Sequence, residues 1–195
     1  MQAVSYTLRN FITIAALAFW CGLPLPSIAA PPSDLDVKVR IVEGEVRADV
    51  SLFVRAPLQR VWDVLSDYER EPEFLRDVQA SRILSRAGDT IRLYQKNQVR
   101  VGPFTFPLES VKDVRLTEPQ RIDSRLVSGS LKRYQARTEL IPEVGGTRIV
   151  YRSEAVPPDI LAGFVSEERV KREAEERFRQ VRTEILRRQH LAAQQ

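Results

Sequence analysis

The chain has 195 residues, a formal net charge of +4, one histidine and one cysteine. This length allows one domain, with or without a targeting segment. The positive charge is spread along the sequence and forms neither a basic patch nor a stripe with aromatic platforms, so nucleic acid is not an expected partner.

Residues 1–29 have the order of a secretory signal peptide. A single positive charge at Arg9 precedes an apolar run from Phe11 to Leu23, two prolines follow, and Ser27-Ile28-Ala29 supplies the small residues of a cleavage site. The run of about 13 apolar residues is shorter than the roughly 20 that a membrane span needs. We therefore expect export, to the periplasm, and no stable membrane anchor after cleavage. An uncleaved N-terminal anchor is the alternative.

Cleavage after residue 29 would remove the only cysteine of the chain and, with it, all cysteine-dependent chemistry. Cys21 leaves with the leader, and Phe19-Trp20 before it are too bulky for a lipoprotein signal. The remaining chain of about 165 residues has no disulfide, no thiolate nucleophile and no cysteine-ligated metal. Its charge becomes +3, because Arg9 is the only charged residue lost from the total of +4. A core of this size is sufficient without disulfides.

The remaining sequence alternates between strand-like and helical patterns. Residues 30–36 form a short Pro-rich leader, residues 37–190 form the domain and residues 191–195 form a tail. Apolar residues alternate over 37–41 and 46–54, around a turn at Glu43-Gly44, as one hairpin or one bent strand. The spacing then predicts an amphipathic helix over 57–69 and a helical turn from Pro72. Further strands are predicted over 80–85, 90–101, 104–116, 121–128, 131–141 and 147–156.

One long helix completes the domain. It is predicted to begin at Asp159, as N-cap after Pro157-Pro158, and to leave His190 in a frayed tail. Its apolar stripe consists of Val170, Ala174, Phe178 (or Arg177), Val181 and Ile185. A series of strands joined by short turns makes an antiparallel sheet. The predicted class is α+β, with about seven strands curved around the helix.

The motif Ala56-Pro57…Val61-Trp62…Leu65…Asp67-Tyr68, followed by Pro72-Glu73-Phe74 and Ser81-Arg82-Ile83-Leu84, carries a family resemblance. It resembles the START-like (SRPBCC) superfamily, in the group of polyketide cyclases/dehydrases and coenzyme-Q-binding START proteins. The resemblance covers about residues 46–188 and includes Gly145-Gly146-Thr147 before the last strand. It implies a helix-grip fold with a cavity for a hydrophobic ligand such as a quinone, lipid, hormone or polyketide. A few members are enzymes. Arg76-Asp77 stands where relatives often have a second proline.

The inner faces of the strands supply the candidate cavity residues. Alternate residues of a strand share a face, and these faces mix apolar and polar side chains where a solid core would be aliphatic throughout. Buried polar groups need partners, which a filled cavity or hydrogen bonds within the sheet would provide. The strand candidates are Leu93, Gln95, Asn97, Ser124, Leu126, Tyr134, Ala136, Thr138, Tyr151 and Ser153.

Aromatic and apolar residues outside these faces complete the set. Phe104 and Phe106 form either a cavity lid or part of the sheet core. Leu161 and Phe164 are expected over the wide end of the cavity, as lining, as helix–sheet packing, or as both. Trp62 is assigned to ordinary core packing.

The leading hypothesis is an exported carrier for a hydrophobic small molecule, without catalytic residues, metal or cofactor. The sole histidine is predicted to lie in the tail, and no HExxH spacing or Gly-rich phosphate loop occurs. A cyclase/dehydrase-type enzyme is the first alternative, because carboxylates, Lys or Tyr can still transfer protons. A protein-interaction module without a ligand is the second. The sequence does not indicate an oligomeric state.

Overall fold

A computed structural model describes residues 34–101 and 104–194, and the predicted signal peptide lies outside them. Within these ranges the chain forms one antiparallel sheet of eight strands, in the order β1-β2-β8-β7-β6-β5-β4-β3. Their bounds are β1 Leu35–Val42, β2 Glu45–Val54, β3 Val78–Ala87, β4 Thr90–Val101, β5 Phe104–Thr117, β6 Arg121–Gly129, β7 Arg133–Glu143 and β8 Gly146–Val156. The predicted α+β helix-grip class is confirmed.

The first two strands form a true hairpin, which brings the strand count to eight instead of the expected seven. Glu43 and Gly44 connect them with φ angles of 51° and 78°. Two consecutive positive φ angles belong to the tight turns that match the twist of paired strands. Val42 and Glu45 therefore pair directly across the turn, and the alternative of one bent strand is wrong.

The helix predicted over 57–69 is shorter than expected. Helix α1 spans Leu58–Leu65, and a 3-10 turn at Tyr68–Arg70 leads into α2 at Glu71–Phe74. The hydroxyl of Ser66 donates a hydrogen bond to the carbonyl of Trp62 at 2.8 Å. A serine bonded back to the preceding turn satisfies the end of the helix, so the chain changes direction before Tyr68. Trp62 is buried, as predicted.

The C-terminal helix begins later than predicted. Asp159 lies in a separate short helix, α3 (Asp159–Ala162), and its carboxylate pairs with Lys132 at 2.5 Å. The long helix is α4 (Glu167–Ala192), capped by Ser166, whose side chain accepts a hydrogen bond from the Arg169 amide. Serine is a preferred N-cap. His190 lies within α4 and not in a tail.

Helix α4 packs against β1, β2 and α1, over the inner face of the sheet. Its N-terminal end is attached to the hairpin, because the carboxylate of Glu167 accepts a hydrogen bond from the amide of Ile41 at 2.9 Å. The core between these elements is buried and largely aliphatic, and its innermost side chains are Leu52, Val54, Val61, Ile149 and Ile185.

The start of β8 allows no side chain at Gly146. A Cβ built there would lie 2.2 Å from the carbonyl oxygen of Val54 and 2.9 Å from the ring of Phe53. Replacing Gly146 with alanine must therefore move β2 or β8. We expect the free energy of unfolding to fall by about 3 kcal/mol, in the range of severe steric substitutions. Urea unfolding followed by circular dichroism measures it.

Gly163 provides the matched control for this substitution. It ends α3, and a Cβ built there meets nothing within 4 Å. Its φ of −73° suits any residue. Gly163→Ala is expected to change stability by less than about 0.5 kcal/mol. Equal losses in the two variants would contradict the close approach of β2 and β8.

Candidate functional site

A cavity of about 360 Å³ lies between the inner face of the sheet and the helices. Strands β2 and β4 to β8 form its floor and α4 covers it, while the segment from α1 to α2 forms one side. The residues that line it include Leu65, Phe74, Ile122, Leu126, Tyr134, Tyr151, Ala174, Phe178 and Val181.

A row of small side chains creates the space. Ala48 on β2 is paired with Ser153 on β8, Ser153 with Ala136 on β7, and Ala136 with Ser124 on β6. All four line the cavity. Protein interiors are close-packed, but alanine and serine at this one level of four adjacent strands are too short to fill the space beneath α4. The cavity is therefore a consequence of the register between these strands.

The wall that α4 contributes is largely apolar. Phe178 is buried and packs against Tyr151, with ring centroids 5.4 Å apart and the planes tilted by 56°. Tilted aromatic pairs at this spacing are favourable beyond the area they bury. Val170, Ala174 and Val181 continue the same surface along the helix. This wall suits an apolar ligand.

The opposite side of the cavity carries a polar cluster centred on Gln95. Its amide nitrogen donates to the carboxylate of Glu71 and, at 3.4 Å, to the hydroxyl of Ser81. The amine of Lys112 donates to its amide oxygen. Burial raises the pKa of Glu71, against the opposing effect of Arg177 and Lys112. Burial also lowers the pKa of Lys112 to about 8, partly offset by Glu71.

Two tyrosines and one arginine extend this polar surface. The hydroxyls of Tyr134 and Tyr151 lie 3.3 Å apart. Burial is the main cause of a raised pKa at Tyr134, and the neighbouring Tyr151 adds to it. The Tyr134 hydroxyl therefore stays protonated. Arg177 of α4 pairs with Asp77 at 2.5 Å. Burial alone would lower the pKa of Arg177, but Asp77 and Glu71 outweigh it and raise that pKa.

The sequence model of the family described as "Polyketide cyclase / dehydrase and lipid transport" matches residues 54–179. The chain belongs to this family. The match covers α1 to α4 up to Arg179, and therefore nearly every element that forms the cavity. The START-like relationship expected from the Val61-Trp62 motif is confirmed. Comparison with curated proteins gives no match.

Solved structures with the same fold come from distant relatives of this family member. A Thermus thermophilus protein is 23% identical, with a TM-score of 0.59 over 77% of this chain and 99% of its own. A STAR-related lipid transfer protein from Xanthomonas axonopodis is 18% identical, with a TM-score of 0.62 over 80% and 96%. A Streptomyces aromatase/cyclase is 16% identical, with a TM-score of 0.56 over 74% and 95%.

Most of the residues selected from strand alternation lie on the cavity wall of this family member. They are Gln95, Asn97, Ser124, Leu126, Tyr134, Ala136, Thr138, Tyr151 and Ser153. Alternation succeeds here because β4, β6, β7 and β8 are regular where they line the cavity.

The other selected residues lie elsewhere among the described side chains. Leu93 is fully buried in the core, where it pairs with Ile83 and Lys112 on the neighbouring strands. Leu161 is buried in α3. Phe104 and Phe164 are exposed by 65% and 54%, and Phe106 lies beside Phe104, beyond the part of β5 that pairs with β6.

Several charged wall residues were not selected from the sequence. They are Glu71, Asp77, Lys112, Glu173 and Arg177. Lys112 lies on β5, whose facing is ambiguous in the sequence because of Pro103 and Pro107. Arg177 carried a signal, since it shares the helical spacing of the apolar stripe with Phe178.

Among the described residues there is no candidate metal-ligand cluster and no candidate membrane-spanning helix. No group of three His, Cys, Asp or Glu residues there could hold a metal ion. None of the helices in residues 34–101 and 104–194 combines the length and the apolar character of a membrane span.

The lowered pKa of Lys112 predicts a rise in stability with pH. Between its folded pKa of about 8 and its usual value of 10.5, the unfolded chain binds more protons than the folded protein. Stability increases with pH wherever that holds. From about pH 7.5 to about pH 9, we expect the free energy of unfolding to rise by about 1 kcal/mol. Urea unfolding at the two pH values measures this.

The Lys112→Gln variant is the control, because it removes the titrating amine and keeps a polar side chain. Its unfolding free energy is expected to stay level or to fall over the same range. An identical rise in both proteins would assign the effect to another group.

Proposed function

We propose that the chain is an exported binding protein that holds a hydrophobic small molecule, such as a lipid, a quinone or a polyketide-like compound. The observation that carries this proposal is the cavity of about 360 Å³ above Ala48, Ser153, Ala136 and Ser124. A family member with a solid core would place larger aliphatic residues in this row. Ligand sites are typically concave, mainly apolar and on the order of 300–1,000 Å³.

The distribution of polarity supports an amphiphilic ligand. Phe178, Val181 and Ala174 offer an apolar surface to its hydrocarbon part. Lys112 and one of the two tyrosine hydroxyls lie on the sheet side and can donate hydrogen bonds to an oxygen-containing group. A few convergent polar groups in an apolar pocket fix ligand orientation.

Binding is tested with a fluorescent fatty-acid or quinone analogue, titrated against protein purified from its own host. Organic extraction of the same preparation identifies a co-purified ligand. We expect saturable binding with one equivalent of the analogue and an apolar compound in the extract. Absence of both would count decisively against the carrier function.

Export is the second part of the proposal, and it is supported by the order of charge, apolar run and small residues over 9–29. Cell fractionation of the host followed by N-terminal sequencing tests it. We expect the protein in the periplasmic fraction with Ala30 as its first residue. An intact N-terminus in the membrane fraction would favour the uncleaved anchor, and one in the cytoplasm would refute export.

A cyclase/dehydrase-type enzyme is the second candidate, because ionisable groups with shifted pKa values line the cavity. Conversion of a poly-β-ketone analogue, lost in Lys112→Gln and Tyr134→Phe, would favour it over a carrier. An interaction module without a ligand is disfavoured by the volume of the cavity.

A further inference from the structure

Lys112 occupies a position that a simple apolar container does not require. It lies on the inner face of β5, whereas its neighbour Asp113 points outward and forms a salt bridge with Arg92 at 2.8 Å. Placing an ammonium group inside a fold is costly unless it is paired. The structure brings this amine to the cavity wall, which indicates a role for it towards the ligand.

The surroundings of Lys112 differ from those of three other lysines in the described part of the chain. Lys38, Lys96 and Lys132 each pair with a carboxylate. Lys112 instead donates to the neutral amide of Gln95, and its amine lies 5.3 Å from the centre of the Tyr134 ring. An ammonium group has three donors, so the bond to Gln95 leaves two of them for other partners.

We propose that the Lys112 amine binds aldehydes or ketones with apolar chains as a reversible imine inside the cavity. The neutral amine attacks the carbonyl carbon, and the resulting carbinolamine loses water. The carbonyl oxygen leaves as that water with the two amine protons, and a carbon–nitrogen double bond replaces the carbonyl bond. Imine formation needs only the amine and the carbonyl compound, and hydrolysis by water reverses it.

The neighbouring groups assist this reaction. One hydroxyl of the Tyr134–Tyr151 pair donates to the other, so one of the two protons is free to donate to a carbonyl oxygen. The carboxylate of Glu71 is linked to the amine through Gln95. A protonated tyrosine hydroxyl in the same cavity is a suitable proton donor for the dehydration.

The charge state of the amine is set from several sides. Burial favours the neutral form; Glu71 of α2 and Asp77 favour the ammonium, and Arg177 of α4 opposes it. With a pKa of about 8, half of the amine is neutral at that pH. An unperturbed lysine, with a pKa of about 10.4, is neutral to less than about 1% there.

The test uses decanal as the probe and the full chain as expressed. Protein is incubated with decanal and cyanoborohydride at about pH 8, and peptide mapping by mass spectrometry locates the decyl groups. We expect Lys112 to be labelled at least about tenfold faster than Lys38, Lys96 or Lys132, because its amine lies on the wall of the cavity that holds the decyl chain. Equal labelling of all lysines would overturn the proposal.

Two variants serve as controls. Lys112→Arg keeps a cation beside Gln95 but cannot form an imine, so it should lose the cavity label and keep its fold. Lys96→Arg should leave labelling of Lys112 unchanged. The measurement on the unmodified chain does not depend on either variant, so a folding defect in one of them leaves the result interpretable.

This inference rests on the proposed function, because the carbonyl compound must first enter the cavity. Decanol separates the two, since it has the same chain and no carbonyl group. Displacement of the fluorescent fatty acid by decanol and decanal, without selective labelling, would overturn the imine and keep the carrier. Failure of fatty acid, decanol and decanal alike to bind would overturn both.

Discussion

Replacing Ala136 with phenylalanine is expected to weaken ligand binding strongly while the protein still folds. Ala136 lies at the middle of the row Ala48–Ser153–Ala136–Ser124 and faces the cavity. A benzyl group there projects into empty space and occupies a large part of the 360 Å³. Overpacking costs typically about 1–3 kcal/mol in a closed core, but here the cavity receives the ring. We expect the dissociation constant to rise at least tenfold, or about 1.4 kcal/mol.

Two variants of the same strand provide controls for this result. Ala136→Ser preserves the small volume and should bind like the unmodified chain. Gln135→Phe places the same ring on the outer face, where Gln135 pairs with Glu154 at 2.6 Å, and should also leave binding unchanged. Titration of the fluorescent fatty acid against all four proteins measures the effect. Unchanged affinity in Ala136→Phe would show that the ligand binds elsewhere.

Replacing Arg188 with methionine is expected to lower the free energy of unfolding by about 3 kcal/mol. Arg188 pairs with Glu184 at 2.6 Å and with Asp67 at 2.7 Å. Only 13% of the Arg188 side chain and 6% of the Glu184 side chain is exposed. Loss of the guanidinium leaves the half-buried carboxylate of Asp67 without this partner, and it leaves the buried carboxylate of Glu184 with Arg187 alone. The contact joins α4 to the turn after α1, so the cavity cover is loosened as well.

A second pair on the same helix isolates the contribution of burial. Glu168 and Arg172 have the same spacing and a distance of 2.8 Å, but they are exposed by 71% and 64%. Exposed pairs contribute about 0–1 kcal/mol, so Arg172→Met should change stability by less than about 0.5 kcal/mol. Thermal unfolding should show a midpoint about 8 °C lower for Arg188→Met alone. Similar midpoints for both variants would contradict a stabilising role of the Arg188 ion pairs.

The strands were predictable because each carries its own signal. Alternating side chains and Gly- or Pro-containing turns defined β4 over Thr90–Val101 without error, and the other strands to within a few residues. Both helix predictions extended too far for the same physical reason. The apolar spacing continues through Ser66 and Gly163, but α1 ends at the first of these residues and α3 at the second. Hydrogen bonds end both helices, and such bonds leave no trace in the spacing of apolar residues.

The candidate site was predictable in part. The alternation of side chains along a strand shows which residues share a face of the sheet, but it does not show which residues of neighbouring strands are paired. It selected Ser124, Ala136 and Ser153 separately. Their alignment with Ala48 in one row depends on how four strands pair. The polar cluster depends on contacts between positions distant in sequence, such as Glu71 with Gln95, which no local pattern encodes.

Native mass spectrometry of the protein purified from its own host tests the central claim most directly. The claim is that a hydrophobic small molecule occupies the cavity above Ala136. We predict an added mass of one small molecule on the unmodified chain, released into organic solvent, and none on Ala136→Phe prepared in parallel. A bare mass for the unmodified chain, or the same added mass on both proteins, would contradict it.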